Sequence, residues 1–276
     1  MRKNLGLIKK DAFLQILALT FLILIPFSFL LSSFLFLIPI FLYFFVLTLQ
    51  DKGWIISQRW MDVVFIHYKV DAKELQKIVP FPLDLFEGEA VVSIVPFVMG
   101  RIRFPFLIPI PGLSKLLELN LRTYVTMKGK PAVYFFTLDS NHLPGVLIAR
   151  WFFALPYRLK KLAFSLDDFY QFKSPEFSLK AVVGEVKQKS AFDLWATERY
   201  ALLTKRGHST YMGIVEHLPW TLQNLEVKEL ADHLSVLIGE HFKMKGFIET
   251  SYSKNLDVRF RPFKRLGVHE ELLLKD

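Results

Sequence analysis

The sequence contains no cysteine, and several common catalytic motifs are also missing from it. Without cysteine there is no disulfide framework, no thiolate zinc site and no cysteine nucleophile. The phosphate-binding pattern GxxxxGK[ST], the dinucleotide pattern GxGxxG, the serine-hydrolase pattern GxSxG and the zinc-protease pattern HExxH are absent. No two of the seven histidines have the i, i+4 spacing of a helical zinc site. These absences disfavour nucleotide enzymes, conventional serine hydrolases and metalloproteases, and the sequence predicts neither a metal nor a cofactor.

Charged residues are missing from a long stretch near the start of the chain. Between Ala12 and Leu49 there is no Asp, Glu, Lys, Arg or His. A single helix of that length would extend about 57 Å, whereas the hydrocarbon core of a bilayer is about 30 Å thick. The length of this transmembrane segment, 12–49, therefore favours two short helices, at about 12–31 and 34–49, that turn near Ser32 and Ser33. One tilted helix is the alternative.

The flanks of the apolar stretch predict its orientation. The basic N-terminus, 1–11, carries four cationic side chains, so it is expected to stay in the cytoplasm: Arg2, Lys3, Lys9 and Lys10. Two helices would return the chain to the cytoplasm, whereas one helix would place the following domain outside. A cleaved signal peptide would have an apolar core of only about 7–15 residues, and a hairpin buried in a soluble core would be amphipathic. The sequence thus predicts an integral protein of the cell membrane, with the lipid bilayer as partner and a cytoplasmic soluble domain.

The formal net charge of +9 does not by itself indicate nucleic acid, because no nucleic-acid-binding module is recognisable. Near the end of the chain, basic residues interleave with Phe260 and Phe263; they are Arg259, Arg261, Lys264 and Arg265. Attraction to anionic lipid headgroups is one interpretation of this stretch. A strand with a solvated basic face is the favoured interpretation.

The rest of the chain has ordinary hydrophobicity and no Ser/Gly/Pro-rich linker, which predicts one domain. Many strands in hairpin order with a few helices predict an α+β fold on a mostly antiparallel sheet, closed into a β-barrel. Helices are predicted at 72–79, 144–155, 190–203 and 230–238, from capping residues, Pro144 and Gly207. Strands are predicted at 83–86, 90–98, 119–127, 132–139, 159–166, 169–172, 177–186, 209–216, 223–228 and 256–260.

One predicted strand carries polar residues in apolar surroundings. Glu118, Asn120 and Arg122 alternate with Leu119 and Leu121, so the three polar side chains share one face. Glu118 and Arg122 are predicted to pair, and inside a barrel such a pair could bind a carboxylate or carbonyl group. A structural ion pair or a solvated face is the alternative interpretation.

Other polar residues also stand out. Arg150 lies in an apolar helix and needs either an acidic partner, for which Asp139 is a candidate, or access to water. His217 and His67 are more often structural histidines than bases in such settings.

Short motifs spread along the chain carry a family resemblance. They are Gln58–Trp60, Phe65–Tyr68, Val79–Pro80, Phe86–Gly88, Val95–Phe97, Glu118–Val125, Phe135–Asp139, Ala149–Arg150, Leu155–Tyr157, Thr197–Tyr200 and His217–Trp220. In this order they resemble the YqjF-like bacterial family, a domain of unknown function, over about residues 58–260. The apolar N-terminus lies outside the resemblance.

The YqjF-like family is in turn similar in fold to acetoacetate decarboxylase, which implies a closed antiparallel barrel with an internal pocket. In acetoacetate decarboxylase, a Gly-Tyr-Pro-Lys-Lys segment supplies a Schiff-base lysine beside a second cation. In this sequence Tyr157 and Arg158 stand where the two lysines would be. Lys160 and Lys161 follow slightly later, but matching them misplaces Pro156. The resemblance therefore implies the pocket without Schiff-base chemistry.

Together these observations predict a linker at 50–57, a YqjF-like domain at 58–263 and a C-terminal tail at 264–276. The domain is expected to bind a small carbonyl- or carboxylate-bearing molecule through a pocket lined by five candidate residues: Glu118, Arg122, Arg150, Tyr157 and His217. The alternative is a non-catalytic module that binds a partner or lipid at the membrane surface. The sequence leaves open whether the protein is an enzyme and what its oligomeric state is.

Overall fold

The protein is built on one extended β-sheet, seen in a computed structural model that describes residues 53–105, 115–239 and 247–266. The strands of the described part are β1 Ile56–Val70, β2 Ala90–Arg103, β3 Lys115–Met127, β4 Lys130–Ser140, β5 Tyr157–Leu159, β6 Ala163–Leu166, β7 Tyr170–Lys173, β8 Phe177–Val186, β9 Ala201–Arg206, β10 Ser209–His217, β11 Gln223–Asp232, β12 Phe247–Phe260 and β13 Lys264–Arg265. The helices are α1 Ala72–Ile78, α2 Leu143–Phe153, α3 Ala191–Thr197 and a 3-10 helix at Leu234–Ile238. The described residues are mostly β-strand, and the predicted mostly antiparallel sheet is confirmed.

The predicted transmembrane segment, 12–49, lies outside the described residues. Among the helices that are described, none has both the length and the apolar character needed to cross a bilayer.

The strand order places β3 in the middle of the sheet. The order is β13-β10-β9-β4-β3-β2-β1-β12-β11-β8-β7-β6, and β5 pairs in parallel with β4. Strand β10 also pairs with β12, between Val215–His217 and Val258–Phe260. This additional pairing joins β10, β9, β4, β3, β2, β1 and β12 into a ring of seven hydrogen-bonded neighbours.

Strands β1, β2 and β3 are buried on both faces, which accounts for their nearly continuous runs of hydrophobic residues. Alternate side chains go to two hydrophobic clusters. The first cluster includes Val64, Ile66, Val92, Ile94, Leu119 and Leu121, and the second includes Val63, Phe65, Val91, Val95, Phe97 and Tyr124. Each fully buried large apolar side chain contributes about 1.5–3 kcal/mol. Glu118, Asn120 and Arg122 belong to the second face, where polar side chains interrupt this packing.

Several local predictions are confirmed. Asp71 caps α1 by accepting a hydrogen bond from the Glu74 amide at 2.9 Å. Helix α2 has Pro144 in its first turn and ends before Ala154, which is left-handed with φ +53°. The two-residue turn between β3 and β4 has positive φ at both Lys128 and Gly129, the backbone conformation that fits the twist of a tight hairpin.

The helix predicted at 190–203 is too long. The expected capping box is present, because Ser190 and Asp193 exchange backbone and side-chain hydrogen bonds, but α3 ends at Thr197. Residues Ala201–Arg206 form β9, with Leu202 and Leu203 buried in opposite clusters. Gly207 lies in the β9–β10 turn at φ +58° and does not cap a helix. Two adjacent buried leucines fit a strand that is covered on both faces. Hydrophobic periodicity in the sequence does not distinguish such a strand from a buried helix segment.

Two other element predictions differ from the structure. The predicted helix at 230–238 is a strand end followed by a 3-10 turn, since β11 continues to Asp232. The single strand predicted at 159–166 is divided into β5 and β6, which pair with different neighbours.

Candidate functional site

A cavity of about 170 Å³ lies on the second face of β3. Most of its lining is apolar and much of it aromatic, including Trp60, Phe65, Phe97, Phe135 and Trp220. A cavity of roughly 150 Å³ is enough to hold a benzene molecule. The cavity can therefore accept a small organic molecule, and its few polar side chains would set the orientation.

Glu118 and Tyr157 form the main polar contact on the cavity wall. The Tyr157 hydroxyl donates to Glu118 Oε2 at 2.6 Å, and the Asn120 amide donates to Oε1 at 3.4 Å. Burial raises the pKa of Glu118 to about 7, although the two hydrogen bonds oppose the shift. Burial and the adjacent carboxylate raise the pKa of Tyr157 well above its ordinary value. A carboxyl group that titrates near neutral pH can donate or accept a proton there.

Asp139 supports this contact from the neighbouring strand. Its carboxylate is fully buried and forms a two-pronged pair with Arg158, from Nε to Oδ1 at 2.6 Å and from Nη2 to Oδ2 at 2.8 Å. The parallel register of β4 and β5 sets Asp139 opposite Arg158. Asp139 was a candidate partner for Arg150, and that interpretation is wrong because Arg158 occupies both carboxylate oxygens. The pair fixes β5, the strand that carries Tyr157.

Arg122 lies on the same wall but does not pair with Glu118. Their Cα atoms are about 13 Å apart along the strand, and no ion pair among the described residues joins the two side chains. The Arg122 guanidinium instead lies over the rings of Phe65 and Tyr124, at 5.5 and 5.7 Å from their centroids. Arg122 is buried and its Nε has no hydrogen-bond acceptor within the described chain.

The structure brings four of the five predicted residues to the cavity: Glu118, Arg122, Tyr157 and His217. His217 stacks on Tyr200 at 4.5 Å and its Nδ1 lies 2.8 Å from the Leu218 carbonyl. Arg150 is not among the lining residues. It projects from the exposed side of α2, and its Nε donates to the backbone carbonyl of Tyr157 at 2.6 Å. Arg150 thus touches the segment that carries Tyr157, outside the cavity.

Arg199 and Trp220 also line the cavity, and the sequence did not single them out for it. Arg199 forms an ion pair with Asp84, and its Nε donates to the Trp195 carbonyl at 2.6 Å. Both residues lie in loops, after α3 and after β10, far along the chain from β3, so no local sequence pattern links them to it. The motifs Thr197–Tyr200 and His217–Trp220, which carry the family resemblance, were the available signal.

Behind the cavity wall lies a buried polar cluster of His67, Ser93 and Tyr124. The Ser93 hydroxyl is 2.7 Å from His67 Nδ1 and 2.8 Å from the Tyr124 hydroxyl. Burial, together with the positive charges of Arg122 and Lys187, lowers the pKa of His67 well below its ordinary value. The histidine is therefore neutral at physiological pH. No group of three or more His, Asp or Glu side chains in the described ranges could hold a metal ion.

Comparisons with known proteins agree with this architecture. The uncharacterised protein YqjF of Bacillus subtilis (strain 168) is 36% identical over 236 residues, covering 79% of this chain and 96% of its own. The acetoacetate decarboxylase of Legionella pneumophila has a TM-score of 0.58 at 14% identity, over 76% of this chain and 87% of its own. The enduracididine biosynthesis enzyme MppR, solved in complex with pyruvate, has a TM-score of 0.54 at 10% identity, over 78% and 91% of the two chains.

The two solved structures establish the fold alone, since their sequences have diverged so far. The predicted acetoacetate decarboxylase-like fold is confirmed. The family follows from sequence, because the DUF2071 model, described as an uncharacterised conserved protein, matches residues 57–253. Because of this match, and because it is 36% identical to YqjF, the chain belongs to the DUF2071, or YqjF-like, family.

Proposed function

We propose that the domain binds a small, largely apolar molecule bearing a carbonyl or carboxylate group in the cavity beside β3. The observation that carries the proposal is the 2.6 Å hydrogen bond between Tyr157 and Glu118 on an otherwise mostly apolar wall. Burying a carboxyl group in such surroundings costs stability, and perturbed carboxyl groups in cavities mark functional sites. The seven-stranded ring would enclose the ligand as a barrel.

The chemistry that fits this wall is hydrogen bonding and proton transfer without a Schiff base. A ligand carbonyl oxygen could accept from the Tyr157 hydroxyl or from protonated Glu118. Among the described residues, the cavity lining includes no lysine. Lys160, the nearest candidate in sequence, forms an ion pair with Glu176. The site thus favours polarising a carbonyl group over forming a covalent bond to it.

Ligand titration of the full chain in detergent tests the proposal. Trp60 and Trp220 line the cavity, so a keto compound such as 2-octanone should change tryptophan fluorescence. Tyr157→Phe should weaken binding about 10-fold, the effect of losing one hydrogen bond. Tyr211→Phe, at a tyrosine outside the cavity lining, is the matched control. Equal affinities of the two variants would refute a role for Tyr157.

Borohydride trapping tests the absence of Schiff-base chemistry. Treatment with a keto acid and borohydride should leave the wild-type chain unlabelled, because the described residues that line the cavity include no lysine. Labelling that disappears in Lys160→Arg or Lys161→Arg would overturn this part of the proposal.

The competing function is a non-catalytic module that contacts a partner or lipid at the membrane surface. Exposed apolar residues on α2 favour it: Leu143, Leu147, Ile148 and Trp151, of which Trp151 is 77% exposed. Such a module would bind no keto compound in the cavity, and substitutions at Tyr157 would change only the stability of the fold. The titration above therefore separates the two functions.

We also propose that the segment 12–49 anchors this domain in the cell membrane, as two short helices. The support is the length of the uncharged apolar stretch and the basic residues before it. The soluble domain would then work at the cytoplasmic face.

A further inference from the structure

Arg122 is a buried cation without an acidic partner. It is 9% exposed, and no ion pair within the described residues includes it. A guanidinium group stays charged at all physiological pH values. The rings of Phe65 and Tyr124 attract it, but such contacts replace only part of the lost hydration. Its Nε remains without an acceptor. The cavity wall therefore holds a positive charge and an unused donor.

Two other unused donors lie around the same pair of rings. Arg199 Nη2 and Trp220 Nε1 have no acceptor in the part of the chain that the structure describes, and their residues are 7% and 4% exposed. The Arg199 guanidinium lies 5.0 Å from the Tyr124 ring, and Trp220 packs edge-on against Phe65 at 5.0 Å. Arg122 touches both rings, so the three donors belong to one region of the cavity wall.

The charge balance of this region identifies the kind of anion that it fits. Asp84 neutralises Arg199 through Nη1, which leaves the single charge of Arg122 uncompensated. His67, behind the wall, is neutral because its pKa is lowered. One surplus positive charge matches a singly charged anion, and the planar guanidinium matches a carboxylate in shape. A phosphate group, with nearly two negative charges, would leave excess negative charge in an apolar cavity.

We propose that Arg122, with Arg199 and Trp220, forms a carboxylate-binding subsite at one end of the cavity. The inference rests on the proposed function and specifies its ligand. The Cα atoms of Glu118 and Arg122 are about 13 Å apart along β3 and no ion pair among the described residues joins their side chains, so the ligand that best fits both carries its carbonyl far from its carboxylate. The ligand class is an oxo acid with an apolar chain between the two groups. A short 2-oxo acid does not reach both ends.

Three probes of equal chain length test the subsite in the full chain in detergent. Octanoate carries only the carboxylate, 2-octanone carries only the carbonyl, and 7-oxooctanoate carries both. Titration calorimetry should give octanoate an affinity that falls about 10- to 100-fold in Arg122→Gln, as for a lost charge-assisted hydrogen bond. The affinity of Arg122→Lys for octanoate should lie between those of the wild type and Arg122→Gln, because lysine retains the charge without the guanidinium fork. Arg265→Gln, an exposed arginine outside the cavity, is the matched control and should bind octanoate like the wild type.

A structural role for Arg122 gives different results. If Arg122 served only the fold, Arg122→Gln would melt at a lower temperature without ligand. We expect an equal or higher melting temperature, because the variant removes an unpaired buried charge. We also expect octanoate to raise the melting temperature of the wild type and not that of the variant.

The three probes keep the two proposals distinguishable. Octanoate binding that is equal in wild type and Arg122→Gln overturns the subsite. Binding of 2-octanone without binding of octanoate also overturns it and leaves the proposed function intact. Binding of none of the probes overturns both. If 7-oxooctanoate binds more tightly than the other two probes, and both Arg122→Gln and Tyr157→Phe weaken its binding, the result supports both proposals.

Discussion

Glu118 has 3% of its surface exposed, in a strand that is buried on both faces and mostly hydrophobic. Among the described residues its hydrogen-bond partners are two neutral donors, Tyr157 and Asn120, and no cation. Desolvation therefore dominates, and the folded chain holds the Glu118 proton more tightly than the unfolded chain does. Glu118 therefore lowers the stability of the fold at any pH at which it is ionised. A residue that costs stability in this way is typical of a group retained for its chemistry.

The pH dependence of stability should reveal this cost. The pKa of Glu118 is about 7 in the folded state, against an ordinary value of 4.5, so the folded state binds the extra proton between these pH values. The contribution of Glu118 to stability should then fall as pH rises from about 4.5 to 7, by about 3 kcal/mol. Glu118→Gln removes this fall. Chemical denaturation of both proteins between pH 4 and pH 8 should show the wild type losing stability relative to the variant.

A matched control isolates the buried carboxyl group from other titrations. Glu185→Gln, at an exposed position of β8, should follow the wild-type pH dependence. If the wild type and Glu118→Gln differed by a constant amount across this pH range, Glu118 would titrate normally and the burial argument would fail.

Period-two alternation was enough to predict that Glu118, Asn120 and Arg122 share a face, and all three line the cavity. The partner of Glu118 was not predictable from alternation. Tyr157 reaches it from a three-residue strand 39 residues away, and only the tertiary pairing of β4 with β5 brings the two together.

The element that positions Tyr157 is β5, which is too short to be stable by itself. Its three residues pair with β4, and Asp139 with Arg158 joins the same two strands. Arg150 adds a hydrogen bond from α2 to the Tyr157 carbonyl. Charged groups thus hold a strand that hydrophobic burial alone would hold weakly.

Breaking the Asp139 pair should loosen β5 and reduce ligand binding. Arg158→Met leaves the fully buried Asp139 carboxylate without its cation, which should cost about 2–3 kcal/mol. The cost is below that of a fully buried pair because Arg158 keeps 27% of its side-chain surface exposed. Chemical denaturation measures the loss, and keto-compound binding should weaken with it as Tyr157 shifts.

A double substitution provides the control for this prediction. Asp139→Asn combined with Arg158→Met removes the unpaired charge, so it should recover part of the stability lost in Arg158→Met. If Arg158→Met were as stable as the wild type, the pair would not hold β5.

Elements with local signals were predicted well from the sequence, whereas the end of α3 was not. Capping by Asp71 and by Ser190, and the tight turn at Gly129, depend on residues within one turn of chain. Leu202 and Leu203 adopt a strand because β4 and β10 lie on either side of it. That environment exists only after the sheet has formed.

The sheet order depends on contacts that no short segment encodes. The pairing of β3 with β4 follows from the tight turn between them, but the pairing of β10 with β12 joins residues 41 to 45 positions apart. The family resemblance was therefore needed to predict the fold, and it correctly indicated the acetoacetate decarboxylase-like fold.

The position of the domain relative to the membrane can be tested because the chain has no cysteine of its own. Single cysteines can be introduced at Ser33, between the two predicted helices, and at Lys254, exposed on β12. With two helices, a membrane-impermeant maleimide should label Ser33→Cys in intact cells and Lys254→Cys only after permeabilisation. Labelling of Lys254→Cys in intact cells would instead indicate a single helix. Recovery of the protein outside the membrane fraction would refute the anchor, because an uncharged apolar stretch of this length should not leave the bilayer.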